Sequence, residues 1–447
     1  MNALLTDLYQ LTMAAGYFEA GKHQEVATFE LFVRRLPYNR NYYLTAGLPQ
    51  AIEYLLNLRF EPAEIAWLRA LPQFARVSPE FFTYLAALRF TGDVFAIPEG
   101  TPIFPNEPIL TIRAPLIEAQ LVETYLLATI GFQTLIASKA ARIVEAAGIA
   151  SVVEFGTRRA HGPESGLLAA RAAYVGGCIG TSNVQAGYRF GIPVYGTSAH
   201  SWVMSFASET ESFRHLQQLL GEGTTYLIDS YDTLEGARKA IALGRPIAGV
   251  RLDSGNLFEL SRAVRALLDG AGFQDVKITA TSDLNEYRIV ELTAAAAPIA
   301  IYGVGTDLAT SADSPSLGAV YKLVELEAGG VKRYTAKYSE EKHTRPGAKQ
   351  VFRYGNRDLV SCAWEAAPAN DGPTEALLRP VMAQGKLLEP LPDAHQARLT
   401  ARENIKKLPH ALKSLYAPEE HPWRVEYSKE LLALDTRVRQ NLRGENQ

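Results

Sequence analysis

Between about residue 150 and residue 305, short apolar runs take turns with helical stretches, and this rhythm limits the possible folds more than any other feature. Runs of strand length lie at 150–155, 178–181, 194–196, 225–228, 249–252, 277–281 and 299–303. Between them, 166–175, 182–190, 201–208, 234–243, 257–269 and 286–294 carry helical spacing. Strands that alternate with helices demand a parallel sheet, because parallel neighbours cannot be joined by a tight turn. So many βα units in succession suit an irregular parallel α/β barrel better than an open sheet. In a barrel the working residues collect at the carboxyl ends of the strands.

The flanking segments read differently. Thr6 or Asp7 caps a first helix, 28–33 alternates as a strand, and helical patterns follow at 48–58, 61–71 and 79–88. Pro98, Pro102, Pro105 and Pro108 punctuate short strands over 92–114, before helices at 116–131 and 134–147. Beyond about 320 come strands at 320–326, 331–339 and 350–354, a loop-rich stretch with Pro368, Gly372 and Pro373, and a polar helical tail at 394–415. The expected organisation is an N-terminal α+β domain over 1–120 that 320–447 completes, with the barrel, 121–319, inserted between them.

The composition, 47% apolar and 21% charged with a net charge of −3, suits a large globular core and gives no basic surplus for nucleic acid. Cys178 and Cys362 are too few for a disulfide scaffold and read as buried thiols. The first residues lack the basic and apolar regions of a signal peptide, and no apolar run reaches the ~18 residues that span a bilayer. A soluble cytoplasmic protein is expected.

The residues of chemical interest fall at the predicted strand ends. Glu154-Phe155-Gly156-Thr157-Arg158-Arg159 supplies an aromatic face and two guanidinium groups. In Arg251-Leu252-Asp253-Ser254-Gly255, the Arg and Asp are two apart on a strand and share a face, able to hold an anion and ribose hydroxyls or simply each other. Gly303-Val304-Gly305-Thr306 can form a nest of backbone N–H groups for phosphate, although any tight βα turn uses glycine. Thr281-Ser282-Asp283 is equally ambiguous alone. His200 follows the 194–196 run, and Asp229 stands at another strand end. A carboxylate that fixes one imidazole nitrogen leaves the other as a nucleophile, whereas a lone histidine is more often a structural hydrogen-bonder. The other histidines show no metal-ligand spacing. Arg34-Arg35 and the lysine-rich run 337–349 are ordinary solvated faces or cations aimed at a polyphosphate.

Taken jointly, and in this order, Thr6-Asp7-Leu8-Tyr9-Gln10-Leu11-Thr12-Met13, the Glu154–Arg159 run, Gly196-Thr197-Ser198-Ala199-His200-Ser201, Arg251–Gly255 and Gly303–Thr306 resemble the nicotinate phosphoribosyltransferase family. The resemblance covers the chain from Leu5 to about Leu415. It implies a barrel plus a domain built from both termini, and a homodimer with active sites at the subunit interface. The implied reaction joins nicotinate to 5-phosphoribosyl 1-diphosphate, giving nicotinate mononucleotide and diphosphate for NAD salvage, coupled to ATP hydrolysis and dependent on Mg²⁺. By motif, Tyr9 of one subunit and Phe155 of the other would sandwich the pyridine ring, with Arg251 and Thr197 on its carboxylate. Arg158, Asp253, Ser254, Ser282, Gly303, Gly305 and Thr306 would hold the phosphoribosyl group. Arg34, Lys342 and Lys349 would meet the diphosphate. His200 would be phosphorylated by ATP and oriented by Asp229; with Asp253 these form the catalytic set.

Three positions bear on the substrate. Asn256 stands where nicotinate enzymes usually carry Asp and nicotinamide enzymes carry Asn. Ala199 and Ser182 lean the other way, because amide users carry Glu and Asp there, and a buried Asp would repel a carboxylate. The balance favours nicotinate. The alternatives are a nicotinamide phosphoribosyltransferase, a quinolinate phosphoribosyltransferase, which would use neither ATP nor a phosphorylatable histidine, and a catalytically silent barrel that only binds.

Overall fold

The structure, a computed structural model, describes residues 3–339, 342–368, 374–416, 418 and 420–444. Gly372 and Pro373 of the expected loop, and Glu340 and Glu341 of the lysine-rich run, lie outside them. The chain divides into two compact units: 1–134 with 316–392 and 403–447, and 135–315 with 393–402.

The first unit is built on a seven-stranded antiparallel sheet. Its order is Val331–Tyr334, Ala319–Ala328, Val26–Val33, Pro108–Pro115, Asp93–Ala96, Arg379–Ala383 and Lys386–Leu387. Val26–Val33 lies inside the sheet and is buried on both faces rather than one. Its polar residues must therefore find partners. Thr28 donates to Glu325 at 2.9 Å, and Glu30 accepts from Lys349 Nζ at 2.7 Å. A smaller sheet joins Glu375–Ala376, Lys349–Tyr354, Arg357–Cys362 and Arg424–Tyr427.

The second unit carries the parallel sheet, in the order Gly180–Thr181, Ser151–Glu154, Ile301–Val304, Lys277–Ala280, Gly249–Leu252 and Thr225–Leu227. Val152, Val153, Tyr226, Leu227, Val250, Leu252, Ile278, Tyr302 and Val304 are all buried, as expected of strands covered on both faces. Helices return between the strands: Pro163–Val175, Val184–Phe190, Thr233–Leu243, Leu257–Gly270 and Glu286–Ala294. The expected run at 194–196 is reduced to one parallel bridge, Thr181 to Val194. This mixed α/β architecture, with a parallel sheet beside antiparallel ones, is the fold class read from the sequence.

Several elements differ from the sequence reading, among them the strands Arg357–Cys362 and Arg379–Ala383 and the helix Lys429–Gly444, and three differences have a clear local cause. The helices expected at 116–131 and 134–147 are Leu116–Leu121 and an unbroken Glu123–Ala147. Gly131 inside a helix costs about 1 kcal/mol against alanine, too little to break a helix with buried residues on either side such as Leu126, Ile130, Leu135 and Ile136. A helix at Glu209–Leu220 goes unread, although Ser208 caps it by accepting from Glu211 N at 3.2 Å. The polar tail is two helices, Ala394–Lys407 and His410–Lys413, parted at Pro409.

Candidate active site

Five consecutive strand ends of the second unit deliver the predicted residues. Ser151–Glu154 ends in Phe155, whose backbone N–H donates to Val304 O at 2.8 Å. Gly303 lies in the neighbouring strand, where an added Cβ would stand 2.6 Å from Phe155 Cδ2. The glycine is thus the seat of the aromatic ring rather than part of a loop. Next to Phe155 in sequence, buried Glu154 accepts from Thr181 Oγ1 at 2.5 Å and from the Gly156 N–H. Burial pushes its carboxyl up, against those two hydrogen bonds. Thr181 Oγ1 accepts from Asn183 N at 2.9 Å, and Asn183 Nδ2 donates to Thr157 at 3.1 Å. This chain of bonds ties the buried carboxylate to the turn carrying Arg158, which is itself exposed.

Arg251 is the hub. Its Nε donates to Thr281 Oγ1 at 3.0 Å, one Nη to Thr197 Oγ1 at 2.8 Å and Ser198 O at 3.2 Å, and the other to Asp253 Oδ1 at 2.8 Å. A guanidinium has five N–H groups, so four are committed and one remains for a ligand. Thr281 also donates to Asp253. Burial works against the Asp253 charge, but the hydrogen bonds of Arg251 and Thr281 and the charges of Arg251 and His200 outweigh it and hold the carboxyl below its ordinary value. The resemblance points to Ser282, which is exposed at a positive φ of 87°, whereas its neighbour Thr281 is buried and joins the network.

Asp229 links this hub to His200. Its Oδ2 accepts from Asp253 N at 2.8 Å and Ser254 Oγ at 2.7 Å, while its Oδ1 is buried and lies 3.4 Å from His200 Nε2. His200 opens the helix His200–Met204 with its side chain 39% exposed, against 1% for Asp229. The carboxylate therefore faces Nε2, and Nδ1 is the nitrogen it leaves open. Gly305 follows the Ile301–Val304 strand, and the exposed Thr306 begins the short helix Thr306–Thr310. Asn256 is occupied as a helix cap, its Oδ1 accepting from Glu259 N at 3.4 Å.

Tyr9, Arg34, Lys342 and Lys349 belong to the first unit. Tyr9 is half-exposed on the helix Leu8–Glu19, and Lys342 is exposed. Arg34 and Lys349 line one cavity of about 310 Å³ with His343 and Arg345, which the sequence reading did not single out. Lys349 is buried there and paired with Glu30, so its charge is already matched. Arg34 Nε is buried with no acceptor among the described residues. Lys322 is held below the ordinary lysine range by burial and by the charges of Arg34 and Lys337, against the pull of Glu123. Among the described residues, no three His, Cys, Asp or Glu side chains cluster as a metal cage, and no helix is long and apolar enough to cross a membrane.

Comparison with known proteins gives matches along most of the chain. The model of the nicotinate phosphoribosyltransferase N-terminal domain matches residues 4–131, that of the family residues 150–339, and that of the C-terminal domain residues 360–435. Nicotinate phosphoribosyltransferase pncB2 of Mycobacterium tuberculosis is 44% identical over 93% of this chain and 89% of its own. The nicotinate phosphoribosyltransferase of Bacillus subtilis is 46% identical over 79% and 74%. The crystal structure of human nicotinic acid phosphoribosyltransferase superposes with a TM-score of 0.85 at 30% identity, covering 97% of this chain and 99% of that one. A strand-end hub of Arg, Asp and His on a parallel sheet, and matches that run through all three segments of the chain, lead to one assignment: it belongs to the nicotinate phosphoribosyltransferase family.

Proposed function

We propose that the chain transfers the phosphoribosyl group of 5-phosphoribosyl 1-diphosphate to nicotinate, coupled to ATP hydrolysis. The observation that carries this reading is the Arg251–Asp253–Asp229–His200 chain of contacts at the strand ends. In the transfer, the pyridine nitrogen forms its bond to the anomeric carbon as the bond to diphosphate breaks, through a cation-like sugar. The protein's task is positioning and charge. The Phe155 ring stacks the pyridine, the remaining Arg251 N–H meets its carboxylate, and ionised Asp253 faces the ribose and its developing positive charge. Arg158, Ser254, Ser282, Gly305 and Thr306 surround the phosphoribosyl group. Mg²⁺ commonly takes one or two carboxylates plus substrate phosphates; Asp253 suits that partial role, and the ion would offset the charge of the departing diphosphate. His200 Nδ1 takes the γ-phosphoryl group of ATP as ADP leaves, with Asp229 holding Nε2–H.

Nicotinate is favoured over the amide. The Asn256 oxygen caps a helix, a task Asp performs as well, so this position discriminates little. Half-buried Ser182 brings no charge against a carboxylate. Purified protein with ATP, Mg²⁺ and the diphosphate sugar should form nicotinate mononucleotide, with a higher kcat/KM for nicotinate than for nicotinamide. A preference for the amide would overturn the substrate, and absence of any mononucleotide would overturn the reaction.

A further inference from the structure

Lys139, midway along Glu123–Ala147, is a charged side chain only 1% exposed. Its ammonium lies 2.6 Å from Glu286 Oε2, 2.9 Å from Asp313 Oδ1 and 3.7 Å from Asp307 Oδ1. Arg142, one turn along the same helix, donates to the other Glu286 oxygen at 3.1 Å. The three carboxylates come from two separate turns. Glu286 is fully buried and opens the helix that follows Ser282 and Asp283, both at positive φ, 87° and 44°. Asp307 sits in the first turn of the short helix Thr306–Thr310, and Asp313 lies just past its cap, Ser311, at φ 45°. Non-glycine residues at positive φ persist only where their surroundings fix them. A buried ammonium cannot leave its carboxylates without facing an uncompensated charge, and its close partners, Glu286 and Asp313, lie on the two segments.

We propose that Lys139 is a positioning residue for the diphosphate sugar: it clamps the Ser282 turn to the Gly305–Thr306 turn and sets the spacing of the two loops that hold the phosphoribosyl group. This rests on the reaction proposed above. Lys139 touches no substrate, because its ammonium is buried among carboxylates. The clamp acts first on these two loops, whereas Arg251 is also held by Thr197, Ser198 and Asp253.

Two variants of the full-length protein test this. Asp313→Asn removes the charge that pairs the far end of this segment with Lys139 and leaves the Lys139–Glu286 pair in place. Lys139→Met removes the clamp; should it fail to fold, Asp313→Asn carries the test alone. In steady-state assays that vary each substrate separately, the KM for 5-phosphoribosyl 1-diphosphate should rise about tenfold while the KM for nicotinate stays within about twofold. An unchanged sugar KM in folded variants overturns the clamp, as does a parallel shift of both KM values and kcat together with the melting temperature. The unsubstituted protein runs in the same assay: if it forms no mononucleotide, the proposed reaction fails, whereas product with unaltered variants sinks the clamp only.

Discussion

Gly303 has no space for a methyl group: a Cβ there would lie 2.6 Å from Phe155 Cδ2 and 2.7 Å from Thr281 Cγ2. Gly303→Ala should therefore tilt the ring off its seat and press on the Arg251 hub. The expected outcome is a stability loss of about 1–3 kcal/mol from overpacking and a raised KM for nicotinate. Denaturant midpoints and initial rates check the pair, and a normal nicotinate KM would dissociate the ring seat from binding. His200→Ala removes the partner of the buried Asp229 oxygen. ATP hydrolysis should disappear while some ATP-independent transfer persists, measured as phosphate release against mononucleotide; unchanged ATP turnover would take the phosphoryl role away from His200. The strand-end residues were legible because polar and glycine residues abruptly end apolar runs. What they touch was not: the Glu30–Lys349 pair joins residues 319 apart, and no spacing announces that Arg251 already grips Thr197.

Elements were legible where an apolar period was strong and a stop signal clear, and less so where packing overrode local preference. Gly131 reads as a break but lies inside a helix, whereas Pro409 reads as part of a tail and divides it. Joints between elements also carry charge that no pattern reveals. Glu118, on the helix Leu116–Leu121, accepts from Thr91 N at 2.6 Å and from Thr91 Oγ1 at 3.1 Å. Burial nevertheless pushes its carboxyl up to about 6, against those hydrogen bonds. A folded-state value above the unfolded one means that the fold prefers the neutral acid. Its contribution is complete below pH 4.5 and is lost as pH rises through about 6. Glu118→Gln should remove this dependence, so the stability difference between variant and parent should move in favour of the variant by about 1–2 kcal/mol across that window. Urea midpoints from pH 4 to 8 would show it, and a flat difference would assign the raised acidity to some other group.

At the scale of the whole molecule, the expected pairing of Tyr9 with Phe155 is a prediction about two copies of the chain. Tyr9 shares its end of the first unit with exposed Leu5, Leu8 and Met13, and the second unit leaves Val184 and Tyr188 exposed on another helix. Apolar groups gathered on a surface suit an interface between copies, and a two-fold dimer would make each copy both donor and recipient of a residue. If Tyr9 of one copy closes over Phe155 of the other, two damaged chains can repair each other. In a co-expressed mixture of Tyr9→Ala and Phe155→Ala chains, random pairing makes half of the dimers mixed. Each mixed dimer holds one site with both substitutions and one with neither, so activity should return to about a quarter of the parent's although either variant alone is nearly inactive. A site completed within a single chain allows no such repair. A mixture as inactive as its components, in dimers shown to be mixed by affinity tags, would place both rings in one polypeptide.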